Sequence, residues 1–486
     1  MIHPREGRLE VQRLETTART GRRPPSRPDP ENQAVERQWT AWRVSSRGRT
    51  SLCFALEAPT RDANDVALDP NRAAETPHIQ RLRALTVMSS PENGDLLKGG
   101  QHHRRSLPIL FGVVIIDLIS FGIVIPILPF YADEFGASGL QLGLLLAIHA
   151  ALQFICAPLW GRLSDRIGRR PVMLVTMAGT AVALLWLGLA DSILGLAMAR
   201  ALSGLFAANV SVATAYVTDV TEESERTRYM GMIGASFGVG FLLGPALAGW
   251  LVGYSLGAPA FFGAALAGLN CIAAVFILRE PERHAPTETD AGVPVQSVLS
   301  DPWIARLCSI NFLFTLGVTQ LESIFAYWMI SRFNYDARSV AWILVAMALV
   351  MAAIQGGGMR SLATHFGERT LLLSGLCFMA LAFPLIPQMH SIAWLMVPLM
   401  VSAVGRAIAQ PPLMSLVSMR AEAKARGRVM GVFQSSASLA RVFGPIAAGA
   451  LYDFLAPTPF YFAFACFATS TWLAFRTPTG DATAPT

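Results

Sequence analysis

The sequence predicts an all-α membrane protein whose twelve transmembrane helices form two pseudo-symmetric six-helix bundles. Three observations lead to this prediction: the composition, a series of long apolar runs, and motifs that recur between the two halves. Hydrophobic residues make up 53% of the 486 residues and charged residues only 15%, whereas a soluble globular chain carries about 25% charge. Most of the chain is therefore expected to lie in a bilayer.

The apolar runs define the spans, because a bilayer core of about 30 Å needs around 20 helical residues. The longest polar connection, 279–303, separates an N-terminal bundle (107–278) from a C-terminal bundle (304–476), and 477–486 form a short tail. Spans 1 to 12 are, in order, 107–131, 140–160, 171–190, 193–218, 229–253, 258–278, 304–331, 338–358, 370–388, 392–418, 429–453 and 458–475.

Residues 1–100 are rich in Arg, Pro, Glu and Asp and have no apolar run able to cross a membrane or build a core. This composition predicts a disordered tail. Its acidic residues argue against a transit peptide, and no apolar segment precedes a small-residue cleavage site, so no signal peptide is expected. Two interpretations stay open: translation starts at Met88, or the whole segment is an ordinary cytoplasmic tail.

The positive charges of the connections predict the orientation. The connections after spans 2, 4, 6, 8 and 10 hold 14 Lys and Arg residues; those after spans 1, 3, 5, 9 and 11 hold none, and the one after span 7 holds two. We call the first set the arginine-rich face and the second the arginine-poor face. Because positive residues are retained in the cytoplasm, the arginine-rich face, the central loop 279–303 and both termini are predicted to be cytoplasmic.

The two bundles repeat each other, since several motifs recur at a shift of 200 residues. The repeated pairs are Arg228-Tyr229-Met230-Gly231 with Arg428-Val429-Met430-Gly431, Gly244-Pro245 with Gly444-Pro445, and Gly249 with Gly449. The connection after span 2 also has a partial copy after span 8, where Leu362, Gly367 and Arg369 recur. Two such bundles are typical of secondary transporters that rock around a site at the membrane midplane.

Several classes of function are excluded by missing motifs. The six cysteines form no Cys-x-x-Cys pair and no His/Cys ligand spacing, so neither disulfides nor a metal site are expected. The sequence has no phosphate-binding Gly-x4-Gly-Lys-Ser/Thr motif and no nucleophile elbow, so we expect neither an ATP-driven pump nor an enzyme. The net charge of +6 comes from loops and tail, which fits a membrane protein better than a nucleic-acid-binding one.

Motifs in five places point to a family. The connection after span 2 reads Gly161-x-Leu163-Ser164-Asp165-Arg166-x-Gly168-Arg169-Arg170, and span 5 reads Gly231-x8-Gly240-x3-Gly244-Pro245-x2-Ala248-Gly249. Spans 1, 2 and 4 contain Asp117-x4-Gly122-x3-Pro126-x2-Pro129, Gln153-Phe154-x-Cys156-Ala157-Pro158 and Arg200-x3-Gly204. Over about 107–476 the chain thus resembles the major facilitator superfamily, and within it the twelve-span drug:proton antiporters of the tetracycline-efflux type.

The resemblance implies the major facilitator fold and the export of a small amphipathic, drug-like molecule in exchange for protons. It implies a monomer in the cell membrane, driven by the proton gradient without a cofactor. It also implies that Asp165 and the arginines of the Gly161–Arg170 segment, which we call the gate motif, latch the two bundles together at the cytoplasmic side. One departure is that span 9 contains no Asp or Glu, whereas the tetracycline exporters have an acidic residue there.

The small residues of span 5 allow a neighbouring helix to approach closely, and Pro245 frees a carbonyl and bends the helix. Two interpretations stay open for this motif: a packing face, or a bend that serves as a gate. The recurrence of Gly-Pro at 444–445 favours the gate.

Ionisable residues within the spans are candidates for the site, because charge in a membrane is costly unless it faces a cavity or a partner. Asp117, about 15 Å along span 1, and Glu322 in span 7 are the predicted proton- or cation-binding carboxylates. A movement that changes the distance from Asp117 to Arg200 in span 4 could load and unload a proton. The alternative is a static ion pair that holds helices together. Arg406 and Arg441 are further charged residues of the second half.

Polar residues of the spans are candidates for lining the cavity; they are His149, Gln153, Asn209, Gln320, Gln355, Gln434 and Arg441. A packed histidine stays the alternative for His149. The aromatic candidates for stacking on a substrate are Phe121, Phe314, Phe325 and Trp328, with a place in the core or against lipid as the alternative.

Two other functions stay open. A proton symporter or facilitator that imports a small metabolite would have the same fold, although the Gly-Pro pattern of span 5 disfavours it. A membrane receptor that no longer transports is the alternative from another class, and no motif supports it.

Overall fold

The computed structural model describes residues 40–46, 49–55, 91–221, 223–281, 300–421 and 425–476, and the chain divides into two units, Met1–Met88 and Ser89–Thr486. In the first unit, β1 (Thr40–Ser46) pairs antiparallel with β2 (Arg49–Ala55), within the tail for which the composition predicts disorder. The strands contain Val, Trp, Thr and Phe, which are typical of strands. The other residues before 91, Met88 included, lie outside the described residues, so their disorder and the alternative start stay predictions.

Helices form almost all of the described part of the second unit. A π-helical turn, Ile354–Gly358, joins α9 to α10, and a 3-10 turn, Phe383–Gln388, continues α11. The helices are α1 (Pro91–Glu134), α2 (Gly139–Ile167), α3 (Arg169–Leu189), α4 (Ile193–Leu205), α5 (Asn209–Val220), α6 (Glu223–Leu251), α7 (Ala258–Ile277), α8 (Pro302–Phe333), α9 (Ala337–Ala353), α10 (Met359–Phe366), α11 (Glu368–Ala382), α12 (Ile392–Arg420), α13 (Arg426–Phe454) and α14 (Thr458–Phe475).

A helix, or two consecutive helices, lies over each of the twelve predicted spans. Ten of the helical stretches in the described residues are long and apolar enough to cross a membrane. The two that fall outside this set are α13 and α14, over spans 11 and 12; α13 contains Gln434, Ser435, Ser436 and Arg441, which lower its hydropathy. The helical membrane architecture is confirmed for the described part of the second unit, whereas the count of twelve spans stays a prediction.

The helices depart from the predicted spans where glycine and proline interrupt them. Three consecutive glycines, 356–358, lie in the π-helical turn of span 8. Glycine is a poor helix former, so the regular α-helix is interrupted at these residues. In span 9, Pro384 and Pro387 remove two N–H donors, and the helix ends as a 3-10 turn. At the other end of the unit, α1 begins at Pro91, 16 residues before the predicted start at 107.

The two bundles have the same internal packing. In the first, α1 lies against α6, and in the second the equivalent helices α8 and α13 lie together. Both pairs depend on glycine: a Cβ added to Gly244 would come within 2.6 Å of the Gly122 Cα, and one added to Gly444 would collide with Thr319. Because only small residues allow such close approach, the repeated glycines position the central helices α1 and α8.

The bundles meet through α2 with α13 and through α6 with α9. Near the arginine-poor face the approach is close, since a Cβ added to Gly449 of α13 would collide with the Gly139 backbone of α2. Near the arginine-rich face, a Cβ added to Gly231 of α6, or to Gly427 or Gly431 of α13, would meet no described atom of another helix within 4 Å. The space between the bundles therefore opens toward the arginine-rich face.

Candidate functional site

The helices α1 and α8 are the most buried of the spanning helices. In their most apolar stretches 67% and 72% of the residues are buried, against 50% or less in the other described spans. Phe121 is the one exposed residue of α1 between 110 and 132, and Glu322 is the one exposed residue of α8 between 310 and 330. Since both helices are otherwise covered by protein, these two side chains face an internal cavity between the bundles, which we call the central cavity.

Three charged residues of the second bundle lie together at the central cavity. The Arg406 Nη1 of α12 donates to the Glu322 Oε1 of α8 at 2.5 Å, and the two side chains are 27% and 42% exposed. Arg441 of α13 is also exposed and interacts electrostatically with both. The structure thus assembles one carboxylate and two guanidinium groups from three helices.

Gln410 is a polar cavity candidate that sequence reasoning missed. It is exposed and lies one helical turn after Arg406 on α12. Residues four apart share one face of a helix, so the spacing to Arg406 is a signal that could have identified it.

Asp117 belongs to a polar network in the first bundle. Its Oδ1 accepts a hydrogen bond of 2.6 Å from the Asn209 Nδ2, and the Asn209 side-chain oxygen accepts one from the Thr176 hydroxyl. The network therefore joins α1, α3 and α5. Among the described residues, no ion pair of 4.0 Å or less joins Asp117 to Arg200, because Arg200 lies on α4, nine residues before Asn209 and beyond the turn at 206–208.

Arg200 and His149 lie near the exposed Phe121. Both side chains are buried, and the two interact electrostatically. The His149 Nδ1 is 3.1 Å from the Ser203 Oγ, and the His149 and Phe121 rings are 5.7 Å apart between centroids. The Arg200 Nε has no hydrogen-bond partner among the described residues. His149 is thus a packed residue beside the central cavity in this arrangement.

The predicted glutamines fall into two groups. Gln153, Gln355 and Gln434 are exposed. Gln320, in contrast, is fully buried, and its amide donates to the Gly444 carbonyl at 3.1 Å, between α8 and α13. In this arrangement Gln320 therefore contributes to helix packing, whereas the side chains of the other three are not covered by protein.

The aromatic candidates are likewise divided. Phe121 is 36% exposed, and its ring packs edge-on against Phe241 of α6 with 6.2 Å between the centroids. Phe314, Phe325 and Trp328 are buried in the second bundle. Of these four candidates, Phe121 alone is placed to touch a molecule in the central cavity.

The gate motif joins α2 to α3 at the arginine-rich face. The Arg169 Nη1 lies 2.5 Å from the exposed Asp165 carboxylate, and its Nε donates to Asp219 of α5 at 2.8 Å. Both contacts lie within the first bundle. Among the described residues, no ion pair of 4.0 Å or less joins Asp165 to the second bundle, as expected where the arginine-rich face is open.

Gly168 is required by the backbone of the gate motif. It lies between α2 and α3 with a φ of +113°, a conformation that favours glycine, and an added Cβ would come within 2.7 Å of the Glu280 carboxylate. That carboxylate accepts hydrogen bonds from the N–H groups of Arg169 and Arg170 at 2.6 and 2.8 Å. An acid at a helix N-terminus stabilises the helix, so Glu280, which sequence reasoning missed, fixes the start of α3.

The repeat extends to the arginine side chains of this face. The Arg170 guanidinium donates to the Val275 carbonyl of α7, and the Arg369 guanidinium donates to the Phe475 carbonyl of α14 at 2.9 Å. The accepting carbonyls are 200 residues apart. These arginines tie equivalent helices together in the two bundles.

The span-5 motif has different surroundings along α6. A Cβ added to Gly240 would come within 2.6 Å of the Leu118 Cβ of α1, in the same bundle, whereas one added to Gly249 would come within 2.9 Å of Ala341 of α9, in the other. Gly231 is open, and α6 continues as a helix through Pro245. The motif therefore contributes to packing within a bundle and to contact between bundles.

Asp453 forms a contact between the bundles that sequence reasoning missed. At the arginine-poor face its carboxylate accepts hydrogen bonds from the N–H groups of Gly139 and Leu140, at the N-terminus of α2, at 2.7 and 2.8 Å. The Tyr327 hydroxyl adds a 3.0 Å bond to the Ala137 carbonyl. The residue 200 positions before Asp453 is Gly253, so this link has no equivalent in the first bundle.

In the second bundle, α9 is the helix equivalent to α2, and it is capped by the residue that directly precedes it in the chain. The Ser339 N–H donates to the Asp336 carboxylate at 3.0 Å, and hydrogen bonds from the Ser339 side chain and backbone hold the pKa of Asp336 below its ordinary value. Helix α2 also has a capping box of its own, formed by Ser138 and Gln141, but of these two helices it alone has N-terminal N–H groups bonded to an acid of the other bundle.

Comparison with known proteins decides the family. The family model of the Major Facilitator Superfamily matches residues 110–361 and 307–486. The chain belongs to the Major Facilitator Superfamily. Its members are transporters and not enzymes, so the predictions of a membrane transporter without enzyme activity are confirmed.

Relatives of this major facilitator protein include drug resistance proteins. It is 30% identical to the tetracycline resistance protein, class C, of Escherichia coli over 371 residues, which cover 73% of this chain and 91% of the relative. It is 29% identical to multidrug resistance protein 1 of Bacillus subtilis (strain 168) over 363 residues, 74% of this chain and 92% of the relative. The predicted resemblance to the tetracycline-efflux type is therefore confirmed.

A solved structure shows a similar arrangement. The human organic anion transporter MFSD10 (TETRAN) superposes with a TM-score of 0.58 and 25% identity, covering 76% of this chain and 99% of that transporter. The chain is therefore an integral, multi-pass membrane protein that transports a small molecule through the bilayer.

Proposed function

We propose that this transporter exports small amphipathic, drug-like molecules in exchange for protons by alternating access. The observation that carries the proposal is the central cavity: two buried helices each expose one mid-span residue there, beside ionisable groups, between bundles that are in contact at one face. A cavity of this kind can bind a molecule from one side of a membrane and release it to the other when the bundles rock.

The orientation follows from the charge distribution. With twelve spans both termini lie on the same side of the membrane, and the positive-inside rule favours the cytoplasm for them and for the arginine-rich face. The central cavity is then open to the cytoplasm and closed to the outside, as an exporter requires when it takes up its substrate. The protein works as a monomer in the cell membrane, with the proton gradient as its energy source and no cofactor.

Asp117 and Glu322 are the proposed proton carriers. Both lie in the central helices, and each has a polar partner at hydrogen-bond distance, Asn209 at 2.6 Å and Arg406 at 2.5 Å. Rocking that moves either carboxylate relative to its partner changes how strongly the ionised form is stabilised. Proton binding from outside and release to the cytoplasm can thereby be coupled to substrate movement.

Two acidic residues stabilise the two alternative arrangements of the bundles. Asp453 joins the bundles at the arginine-poor face while the cavity is open to the cytoplasm. When that contact opens and the arginine-rich face closes, Asp165 becomes the latch of the gate motif, offered to a helix N-terminus of the second bundle. Each latch occurs in one bundle only, so opening one and closing the other is a movement between two distinct states.

The names of the relatives support a drug-like substrate, since they include tetracycline resistance, multidrug resistance and organic anion transport. They do not agree on one compound, and the missing acid of span 9 separates this chain from tetracycline exporters at one position. No observation favours the importing symporter, the facilitator or the receptor.

Transport by the full chain in proteoliposomes tests the proposal. A panel of amphipathic drugs is supplied on the side of the arginine-rich face, with and without an imposed pH gradient. We expect accumulation that rises with the gradient and collapses when an ionophore dissipates it. Transport that is equally fast without the gradient would reject exchange, and no movement of any compound would reject export of drug-like molecules.

A further inference from the structure

The charged residues at the central cavity have an excess of positive charge. In the second bundle, the ion pair of Glu322 with Arg406 at 2.5 Å neutralises both groups and leaves Arg441. Arg441 is exposed, and no hydrogen bond or ion pair joins it to another residue of the described part of the chain. Glu322, the acid that interacts electrostatically with Arg441, is already paired with Arg406, so the guanidinium donors of Arg441 can bind a molecule in the cavity.

The first bundle does not compensate this charge. Asp117 is engaged by Asn209 at 2.6 Å, and Arg200 adds a further guanidinium group close to His149. With both acids ionised, two carboxylates face three arginines among these five residues. An exchanger receives its substrate in this deprotonated state, and one positive charge remains in excess even then.

The wall opposite Arg441 is aromatic. By the 200-residue repeat, Phe241 occupies in the first bundle the position of Arg441 in the second. Phe121 and Phe241 pack together with 6.2 Å between ring centroids, and both are 36% exposed. The position equivalent to Arg441 thus presents a ring, which packs against Phe121, where the second bundle presents a charge.

A guanidinium group without a partner is costly within a membrane protein unless an anion pairs with it. Its planar donors bind a carboxylate or sulfonate in a bidentate manner, and this pairing is stronger than one between neutral groups. We propose that Arg441 binds the anionic group of the substrate while Phe121 and Phe241 contact its ring, so that the substrates are amphipathic aromatic anions. This inference rests on the proposed export function and names its substrate class.

Equilibrium binding to the full chain in lipid nanodiscs tests the inference without any proton gradient, so its failure is distinguishable from failure of proton exchange. The probes are aromatic acids and their primary amides, as matched pairs on dansyl, naphthyl and biphenyl rings. We expect the wild type to bind the acid of a pair more tightly than the amide. Arg441→Gln should weaken acid binding about tenfold to a hundredfold and leave amide binding unchanged, which also shows that the variant is folded.

Two further variants serve as controls. Arg426→Gln removes the same charge from the same helix about 22 Å away and should leave the preference for acids intact. Arg441→Lys keeps the charge without the planar guanidinium group and should retain part of the preference for acids. The inference is overturned if no acid in the panel binds more tightly than its amide, or if Arg441→Gln and Arg426→Gln weaken acid binding equally.

Discussion

The carboxylate of Asp453 accepts a 2.7 Å hydrogen bond from the Gly139 N–H and so joins the two bundles at the arginine-poor face. The donor is at the first turn of α2, where N–H groups have no partner within the helix. The second bundle therefore supplies the acceptor for two N–H groups at the start of a helix in the first, beside the capping box that Ser138 and Gln141 form there. We expect this contact to break whenever the cavity opens toward the arginine-poor face.

Removing this link should shift the balance between the two arrangements. Asp453→Ala deletes an acceptor of two charge-assisted hydrogen bonds, each worth about 1.5 kcal/mol or more, so the state open at the arginine-poor face should gain population about tenfold or more. Spin labels at Glu134 and Phe454, in a background without cysteines, would report a longer distance. Asp336→Ala, which removes a cap within one bundle, is the control; an equal lengthening in both variants would contradict the role of Asp453.

Variants of the ion pair of Glu322 with Arg406 distinguish a structural role of the pair from a role in proton coupling. Glu322→Gln leaves Arg406 without its partner, and since both side chains are partly exposed we expect a loss of about 1 kcal/mol of stability. A double variant, Glu322→Gln with Arg406→Gln, should recover the melting temperature in detergent but not the gradient-driven transport. If the double variant recovers both, the pair is merely structural.

The glycines of α6 differ in what an added methyl group would meet. Gly244→Ala places a Cβ within 2.6 Å of the Gly122 backbone, and overpacking of this kind costs about 1–3 kcal/mol. Gly234→Ala, on the same helix, meets no described atom of another helix within 4 Å and should not destabilise, since alanine is the better helix former. Thermal unfolding of the two variants in the same detergent makes the comparison, and equal melting temperatures would show that α1 and α6 are not held by this contact.

Asp165 should matter for the return step of transport. In the arrangement described, it pairs with Arg169 of its own bundle, so Asp165→Asn should leave equilibrium binding from the arginine-rich face within about twofold of wild type. Turnover should fall at least tenfold, because the state closed at that face loses its latch. Arg162→Gln, at the variable position of the Gly161-x-Leu163 pattern in the same connection, is the control. Unchanged turnover of Asp165→Asn would remove the latch from the mechanism.

Local rules predict the helices well. Apolar runs and proline or glycine interruptions act over a few residues, and the helices lie over all twelve predicted spans. The hairpin at 40–55 was missed because charged residues surround it and dominate the composition. The start of α1 at Pro91 was missed because the residues from 91 to the predicted span at 107 are mostly polar. Only the apolar part of a helix can be recognised in the sequence as a span.

Individual site residues were predictable, but most partners were not. Asp117, Glu322 and Arg441 stand out because charge is rare in a span. Asn209, Asp453 and Glu280 are ordinary polar residues whose roles depend on helices far away in sequence. The predicted relation of Asp117 to Arg200 ignored the turn at 206–208, which places Asn209 rather than Arg200 at Asp117.

The proton flux of the Asp117→Asn variant is the measurement that tests the central claim, exchange of substrate for protons, most directly. Proteoliposomes loaded with a pH-sensitive dye and holding the full chain receive substrate under an imposed gradient, and the lumenal pH is followed. We predict a substrate-dependent proton flux in the wild type and a flux at least tenfold smaller in Asp117→Asn, with substrate binding retained because asparagine can still bond to Asn209. A variant that couples protons to substrate as tightly as the wild type would contradict the account.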